Sequence, residues 1–315
     1  NSGTAALHVA VRLLELESGS EVITTPITFV ATNQAILYEQ LVPVFADIEP
    51  GTGNVCVESM KSKITDRTGA LMVMHYGGYS CDLDAVYALA AQHGLQVIED
   101  CAHAAGSSYK GRRIGSHAGL QAFSFQATKN LSAIDGGLLF TRSEEEAARA
   151  KRLRWMGIDS STHSRTTQFG GSNQYGVSEL GYRYAMSDLN AAIALAQLPH
   201  LDAGNARRAT IAARYTRAFS CLNSIRLLDH SDDRISSHHL FAILSTHRDE
   251  VAAALRARGI VTGTHYPRND RYAIFQTAEL PQAERFSRQV LTLPIHLGLI
   301  DADVERVIDA VTEFA

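Results

Sequence analysis

Two residues of this chain have the chemistry to hold an aldehyde between them. Lys129 is a single amine in the stretch from Gln121 to Gly137, QAFSFQATKNLSAIDGG, and Asp100 follows the apolar run Gln96–Ile98 in the pair Glu99-Asp100. A lone lysine just past a buried strand is ordinarily solvated and inert. This one lies between a serine-bearing strand end and a Gly-Gly pair, where backbone can approach a ligand closely. The acid lies at the end of a strand, where open α/β sheets bind their ligands. An amine and a carboxylate so placed suit pyridoxal phosphate: the amine forms a Schiff base and the acid pairs with the pyridinium nitrogen.

Three further positions bear on the same ligand. Ser2-Gly3-Thr4 precedes a helical apolar pattern, Thr4 to Leu16, and offers either a plain cap or a helix N-terminus whose free N–H groups suit a phosphate. Phe29, in a strand-to-helix turn, is either core or a plate against a flat aromatic ligand. His103, three residues after Asp100, either contacts that ligand or is a hydrogen-bonded structural histidine. Lys110, Arg112 and Arg113 lie in Ser107 to Gly115, which reads as an exposed hairpin. Such a cluster is more often solvated than bound to a nucleotide diphosphate.

The elements that must position these groups alternate. Strands are expected at 21–25, 42–45, 70–75, 96–98, 120–125 and 137–141, with helices at 30–38 and 82–93. This pattern predicts a mostly parallel sheet with helices on both faces. A charged amphipathic helix follows at 144–156, then a polar stretch, Thr162 to Ser172, that reads as a mobile loop. Tyr184 to Leu198 reads as an apolar helix with a packing surface at 191–195, and Leu201 to Phe219 as a long linking helix. Strands at 238–244, 261–266 and 291–295 and helices at 248–258, 283–290 and 301–314 complete a small α+β part. The expected division is a large cofactor-binding domain, 1–200, and a small C-terminal domain, 201–315.

Composition excludes several classes. The 315 residues are 45% hydrophobic and 20% charged, which is ordinary for a globular protein, and the net charge is −4. There is no block of lysine and arginine, so nucleic acid is not an expected partner. Cys56, Cys81, Cys101 and Cys221 are scattered without CxxC spacing, which indicates neither a zinc site nor a disulfide framework and fits a reducing cytoplasm. No apolar run reaches membrane-spanning length and no signal peptide is visible, so no membrane partner is expected.

Seven segments, taken in order, carry a wider likeness: NSGTAALH, TPITFVAT, VIEDCAHAAGSSYKGRRIG, FSFQATKNL with DGG, ELGYRYAMSDLNAA, GTHYP and VLTLPIHLGL. Together they resemble the DegT/StrS family of pyridoxal-phosphate-dependent sugar aminotransferases over essentially the whole chain. The resemblance implies the fold type I (aspartate aminotransferase) architecture and a cytoplasmic homodimer with its sites at the subunit boundary. It implies Lys129 as the Schiff-base lysine and Asp100 as the partner of the ring nitrogen. It implies Phe29 as the stacking residue, His103 near the phenolic oxygen, and Gly3, Thr4, Ala5 and Ser124 on the phosphate. His265 and Tyr266 fall near the substrate entrance. No metal is implied. Where many members carry an asparagine that reaches the neighbouring subunit's cofactor, this chain has Arg183 in GYRYA. Members usually carry a lead-in of some tens of residues before NSGTAAL, and its absence here suggests truncation or disorder, with part of the substrate pocket missing.

The implied reaction is a two-stage transfer of an amino group from an amino acid, usually glutamate in this family, to a nucleotide-linked keto-sugar, in the making of deoxyamino sugars for a polysaccharide or an antibiotic. A branch of the family that dehydrates or deoxygenates sugars has histidine where this chain has Lys129. Two alternatives stand beside this reading: a cyclitol-ketone aminotransferase of the aminoglycoside type, and a non-catalytic regulatory protein that binds pyridoxal phosphate.

Overall fold

The computed structural model describes residues 1–159 and 175–314. The stretch Thr162 to Ser172, expected to be a mobile loop, lies outside the described residues. A six-stranded sheet runs in the order β2-β1-β3-β4-β7-β8, formed by Val42–Phe45, Glu21–Thr24, Thr68–Met74, Gln96–Asp100, Leu120–Ser124 and Gly137–Phe140. The first five are parallel to their neighbours and β8 is antiparallel to β7. The expected mostly parallel α/β sheet is therefore observed.

The central strands are buried on both faces, which is why β1, β3 and β7 read as unbroken runs rather than alternating ones. Register places Asp100, the last residue of β4, beside Met74 and Ala122. Ser124 ends β7 opposite Gly137. Both polar side chains thus stand at the carboxyl edge of the sheet, the edge that α/β folds use for ligands.

Helix α1 (Gly3–Leu13) is capped by Ser2, whose Oγ accepts the Ala5 N–H at 3.1 Å. Its buried face of Leu7, Val11 and Leu14 packs with Val22, Ile36, Ile98 and Ala122. Helix α2 (Val30–Tyr38) starts directly after Phe29, and α4 (Leu83–His93) is capped by Asp82 and stopped by Gly94 in a left-handed conformation, φ 66°. A short helix, α3 (Val57–Ser62), lies between β2 and β3; the sequence reading had no element there. Helix α5 (Glu144–Leu153) has three acids in its first turn and Lys151 and Arg152 in its last.

The expected helix Tyr184–Leu198 begins only at Asp188, because Ser187 caps it. In this α6 (Asp188–Gln197), Ile193 and Ala194 face a core built on Ile114, Phe123 and Leu131, while Leu189 and Leu195 point outward, 79% and 70% exposed. The basic segment is a two-rung hairpin, β5 (Ser108–Tyr109) with β6 (Arg112–Arg113). Its cations have intramolecular partners: Lys110 pairs with Asp84, Arg113 with Asp202, and Arg112 with the Ser116 carbonyl.

The long helix α7 (Leu201–Phe219) leads to a second core, in which Ile211, Tyr215 and Phe219 pack on Phe241, Ile243, Leu291 and Val307. A three-stranded antiparallel sheet, formed in order by Val290–Leu293, Phe241–Leu244 and Arg226–Leu227, runs through it. The expected strand 261–266 does not form; Gly263 makes one isolated bridge to Thr292 and Pro267 ends the segment. A third cluster joins the two parts, with Phe45, Met74 and Tyr76 against Ala242, Leu244 and Phe286.

Candidate active site

At the carboxyl edge of the sheet lies a cavity of about 650 Å³. Its walls include Gly3, Thr4, Phe29, Asp100, His103, Ser124, Lys129, His265 and Tyr266, nine positions that the sequence reading had singled out from separate segments. Ala5 lies one residue past this wall, with its N–H turned to Ser2. Arg183 lies elsewhere: its guanidinium sits 3.9 Å from the centre of the Trp155 ring, and the two residues form a backbone bridge.

Lys129 follows β7 in a tight loop closed by Lys129 N–H to Gln126 carbonyl, 2.8 Å, and Ala133 N–H to Phe125 carbonyl, 2.8 Å. Burial lowers the affinity of its amine for a proton, and the nearby Asp100 carboxylate offsets this in part. A larger share of the amine is therefore neutral and nucleophilic than for a free lysine.

Asp100 is 4% exposed and its carboxylate is tightly held. Thr32 Oγ1 donates to Oδ2 at 2.6 Å and the Ala102 N–H donates to Oδ1 at 3.0 Å. Thr32 has spent its one proton, so Thr28 Oγ1, 2.7 Å away, is the donor to Thr32. The sequence reading missed this chain, although Thr28 and Thr32 fall at i and i+4 spacing, one above the other where α2 begins.

Three imidazoles crowd the opposite wall. His103 Nε2 is 3.0 Å from the Tyr266 hydroxyl, and its buried Nδ1 has no hydrogen-bond partner among the described residues. The ring of His239 lies 4.2 Å from that of His103, centre to centre. His265 Nδ1 meets Thr292 Oγ1 at 2.8 Å. Burial first, and the Lys129 charge second, hold all three below the usual histidine range, so they are neutral at physiological pH. His239 is another residue that the sequence reading passed over; the His-His pair before an apolar strand was its signal. Phe29 stands free at the cavity mouth, 58% exposed, with its ring 6.5 Å from that of Tyr266.

The far end of the cavity is a cradle for an anion. A side chain at Gly3 would put its Cβ 2.7 Å from the Ser124 Cβ, so glycine alone lets the start of α1 meet the end of β7. The Gly3 and Thr4 N–H groups lie in the first turn, where a helix has no internal acceptors for them, next to the Ser124 hydroxyl. A carboxylate, a lysine, an unpartnered buried ring nitrogen and this cradle around one cavity fit pyridoxal phosphate in donor set and size.

Another buried trio, His75, Glu99 and Cys101, lies behind the sheet edge. Its polar atoms have protein partners. Glu99 accepts from His75 Nε2 at 3.0 Å, from Gln121 Nε2 at 2.9 Å and from the Tyr87 hydroxyl, while the Cys81 N–H occupies His75 Nδ1 at 3.2 Å. Satisfied in this way, it is a hydrogen-bonded network within the fold.

Comparison with known proteins agrees with this geometry. Residues 1–312 match the model of the DegT/DnrJ/EryC1/StrS aminotransferase family. The chain is similar to S. venezuelae DesV, solved in complex with a ketimine intermediate, at 36% identity and a TM-score of 0.92, covering 100% of this chain and 83% of that one. It is similar to Helicobacter pylori PseC, an aminotransferase involved in the biosynthesis of pseudoaminic acid, at 29% identity and 0.92, over 99% and 85% of the two chains. A Streptococcus pneumoniae sugar aminotransferase in its PMP form matches at 27% identity and 0.93, over 99% and 86%. Among the described residues no helix is long and apolar enough to cross a membrane.

Proposed function

Since the chain belongs to the DegT/DnrJ/EryC1/StrS aminotransferase family, and is a sugar aminotransferase with a pyridoxal or pyridoxamine phosphate cofactor, we propose that it moves an amino group from glutamate to a nucleotide-linked keto-sugar. The observation that carries this reading is the convergence of Lys129, Asp100 and the Gly3–Ser124 cradle on one cavity. When bound, pyridoxal phosphate supplies an electron sink for negative charge at the substrate carbon. The protein supplies the rest. The Asp100 carboxylate, oriented by hydrogen bonds from Thr32 and the Ala102 N–H, would pair with the pyridinium N–H. Lys129 Nζ would take the proton from the donor's α-carbon and deliver it to C4′, two atoms along, and run the same shuttle in reverse for the acceptor. Phe29 covers one face of the ring, and the helix N-terminus with Ser124 anchors the phosphate.

His265 and Tyr266 frame the side from which the sugar enters. Arg183, outside its own chain's cavity, is assigned to the phosphate of a second subunit's site, which requires the homodimer. The exposed leucines of α6 support that assembly. The separate cores on either side of α7 support a division near residue 200.

The test is spectroscopic. The purified protein incubated with pyridoxal phosphate develops a near-visible absorbance band that bleaches on addition of L-glutamate and returns with a nucleotide-linked keto-sugar. A protein that stays colourless after incubation refutes the cofactor assignment. Return of the band with a cyclitol ketone but with no keto-sugar refutes the acceptor.

A further inference from the structure

The ring of His239 is held in one tautomer by a chain of contacts that runs away from the cavity. Asn130, next to Lys129, donates through Nδ2 to the Ser237 carbonyl and to Asn205 Oδ1, both at 2.8 Å. A backbone carbonyl only accepts, so it fixes which end of the Asn130 amide carries the hydrogens. Asn205 is itself fixed by donating to the Ala105 carbonyl at 2.9 Å. Asn130 Oδ1 is therefore an acceptor, and at 3.0 Å it takes its hydrogen from His239 Nδ1. In a neutral ring that leaves Nε2 with a bare lone pair, and His239 lines the cavity that holds Lys129. Burial first, and then Lys129, His265 and the buried Arg208, whose Nη1 has no hydrogen-bond partner among the described residues, oppose a proton there and keep the ring neutral.

We propose that His239 is a ligand-contacting residue whose Nε2 accepts a hydrogen bond from a hydroxyl group in the cavity. The keto-sugar carries such groups; the 3-oxygen of pyridoxal phosphate is ionised when its ring nitrogen carries a proton, so it accepts rather than donates. The inference rests on the reading of the cavity as a sugar aminotransferase site. A site built to accept a hydrogen bond discriminates strongly against a ligand lacking the donor, because its own polar atom is then buried unpaired. Without the Asn130 tether the ring could present N–H instead of a lone pair, and the preference would be lost.

Three measurements test this. In the cofactor-free protein, nitrogen-15 NMR of labelled histidines, with His239→Phe used to assign the signal, should show Nδ1 protonated and Nε2 bare at neutral pH. A protonated Nε2 overturns the proposal whatever the enzyme's activity proves to be. The second compares the affinity of cofactor-free wild type and H239F for pyridoxal phosphate and for its 3-O-methyl analogue. The third compares kcat/KM for a nucleoside-diphosphate keto-hexose and for congeners lacking one ring hydroxyl each. In wild type, removing the contacted hydroxyl should cost about 10- to 100-fold, and in H239F almost nothing. In the cofactor pair wild type and H239F should behave alike; a loss in the sugar pair confined to wild type assigns the contact to the acceptor. A loss confined to the cofactor pair, or equal losses in wild type and H239F in the sugar pair, overturns it. Should H239F fail to fold, Asn130→Ala serves in its place, with the same loss of discrimination expected. If wild type binds pyridoxal phosphate and fails to transaminate any keto-sugar, the functional reading falls while the first measurement still decides the tautomer of His239.

Discussion

Thr32 and Asp100, 68 residues apart in the chain, are joined by a buried hydrogen bond of 2.6 Å in which the threonine donates. The donor comes from the first turn of α2, and the acceptor is the last residue of β4. Each carboxylate oxygen takes one hydrogen bond, from Thr32 and from the Ala102 N–H, and keeps a further lone pair in a fixed direction. Thr32→Val preserves the shape and removes the donor. A hydrogen bond to a charged group is worth about 1.5–3 kcal/mol. Turnover should fall about 10- to 150-fold in steady-state assays, with the fold unchanged by circular dichroism. A variant within twofold of wild type would show that Thr32 does not orient Asp100.

Lys129→Ala should abolish transamination while the chain still folds and binds pyridoxal phosphate non-covalently. In wild type the capture of pyridoxal phosphate by the amine should follow the neutral fraction of Lys129. Burial lowers the proton affinity of that amine, so the capture rate should rise with pH and level off below the pH at which a free lysine would. Stopped-flow absorbance across pH measures the inflection, and one at or above the ordinary lysine value contradicts the burial argument.

Glu99 gives a stability prediction with a definite sign. Burial opposes its charged form, but the donors His75, Tyr87 and Gln121 outweigh burial, and its proton affinity in the folded state is lowered. The stability it contributes is complete above the unfolded carboxylate value of about 4.3 and drains as pH falls through the lower folded value. Denaturant melts between pH 3 and 6 should show that loss. Glu99→Gln should flatten it and cost about 1–3 kcal/mol at neutral pH, because three donors lose a charged acceptor.

Gly137 is held to glycine by a backbone contact. A Cβ there would lie 2.1 Å from the Ser2 carbonyl oxygen, so the segment leading into α1 crosses β8 with no room for a side chain. Gly137→Ala should displace the first turn of α1 and with it the Gly3 and Thr4 N–H groups. Affinity for pyridoxal phosphate, read by fluorescence titration, should drop by about tenfold or more, the worth of one or two hydrogen bonds to a charged phosphate. Unchanged affinity would remove the helix N-terminus from the phosphate site.

Leu189 and Leu195 expose apolar surface on α6. Replacing both with glutamate should leave monomer stability within about 0.5 kcal/mol, as for surface positions generally. In sedimentation the double variant should shift from dimer to monomer. A wild-type chain that sediments as a monomer refutes the assembly, and Arg183 then has no role in a cofactor site.

Most of the sheet was legible because strands buried on both faces leave runs that do not alternate, as in the wholly apolar LMVM and in LQAFS, where Gln121 is the one interior polar residue. The edge positions of Asp100, Ser124 and Lys129 were legible for the same reason: each follows the end of such a run. What escaped the reading depended on contacts between distant segments. Thr32 and His239 are ordinary polar residues until the fold sets one beside Asp100 and the other beside His103. The segment 261–266, VTGTHY, is rich in strand-forming residues, yet Gly263 and the Pro267 that follows leave it a single bridge. The start of α6 at Asp188 turned on a serine cap inside an otherwise apolar stretch.

The cluster of Phe45, Met74 and Tyr76 with Ala242, Leu244 and Phe286 sets the way this molecule can adapt to its substrates. Swinging the C-terminal layer away from the main sheet would wet that seam, at about 25 cal/mol for each Å² of apolar surface uncovered. Adjustment by side chains at the rim, such as the free Phe29 and the half-exposed Tyr272, carries no such penalty. The pocket therefore works less like a jaw than like a fixed socket with a movable lip, and swapping one sugar for another should call for new residues at that lip and leave the hidden seam as it is.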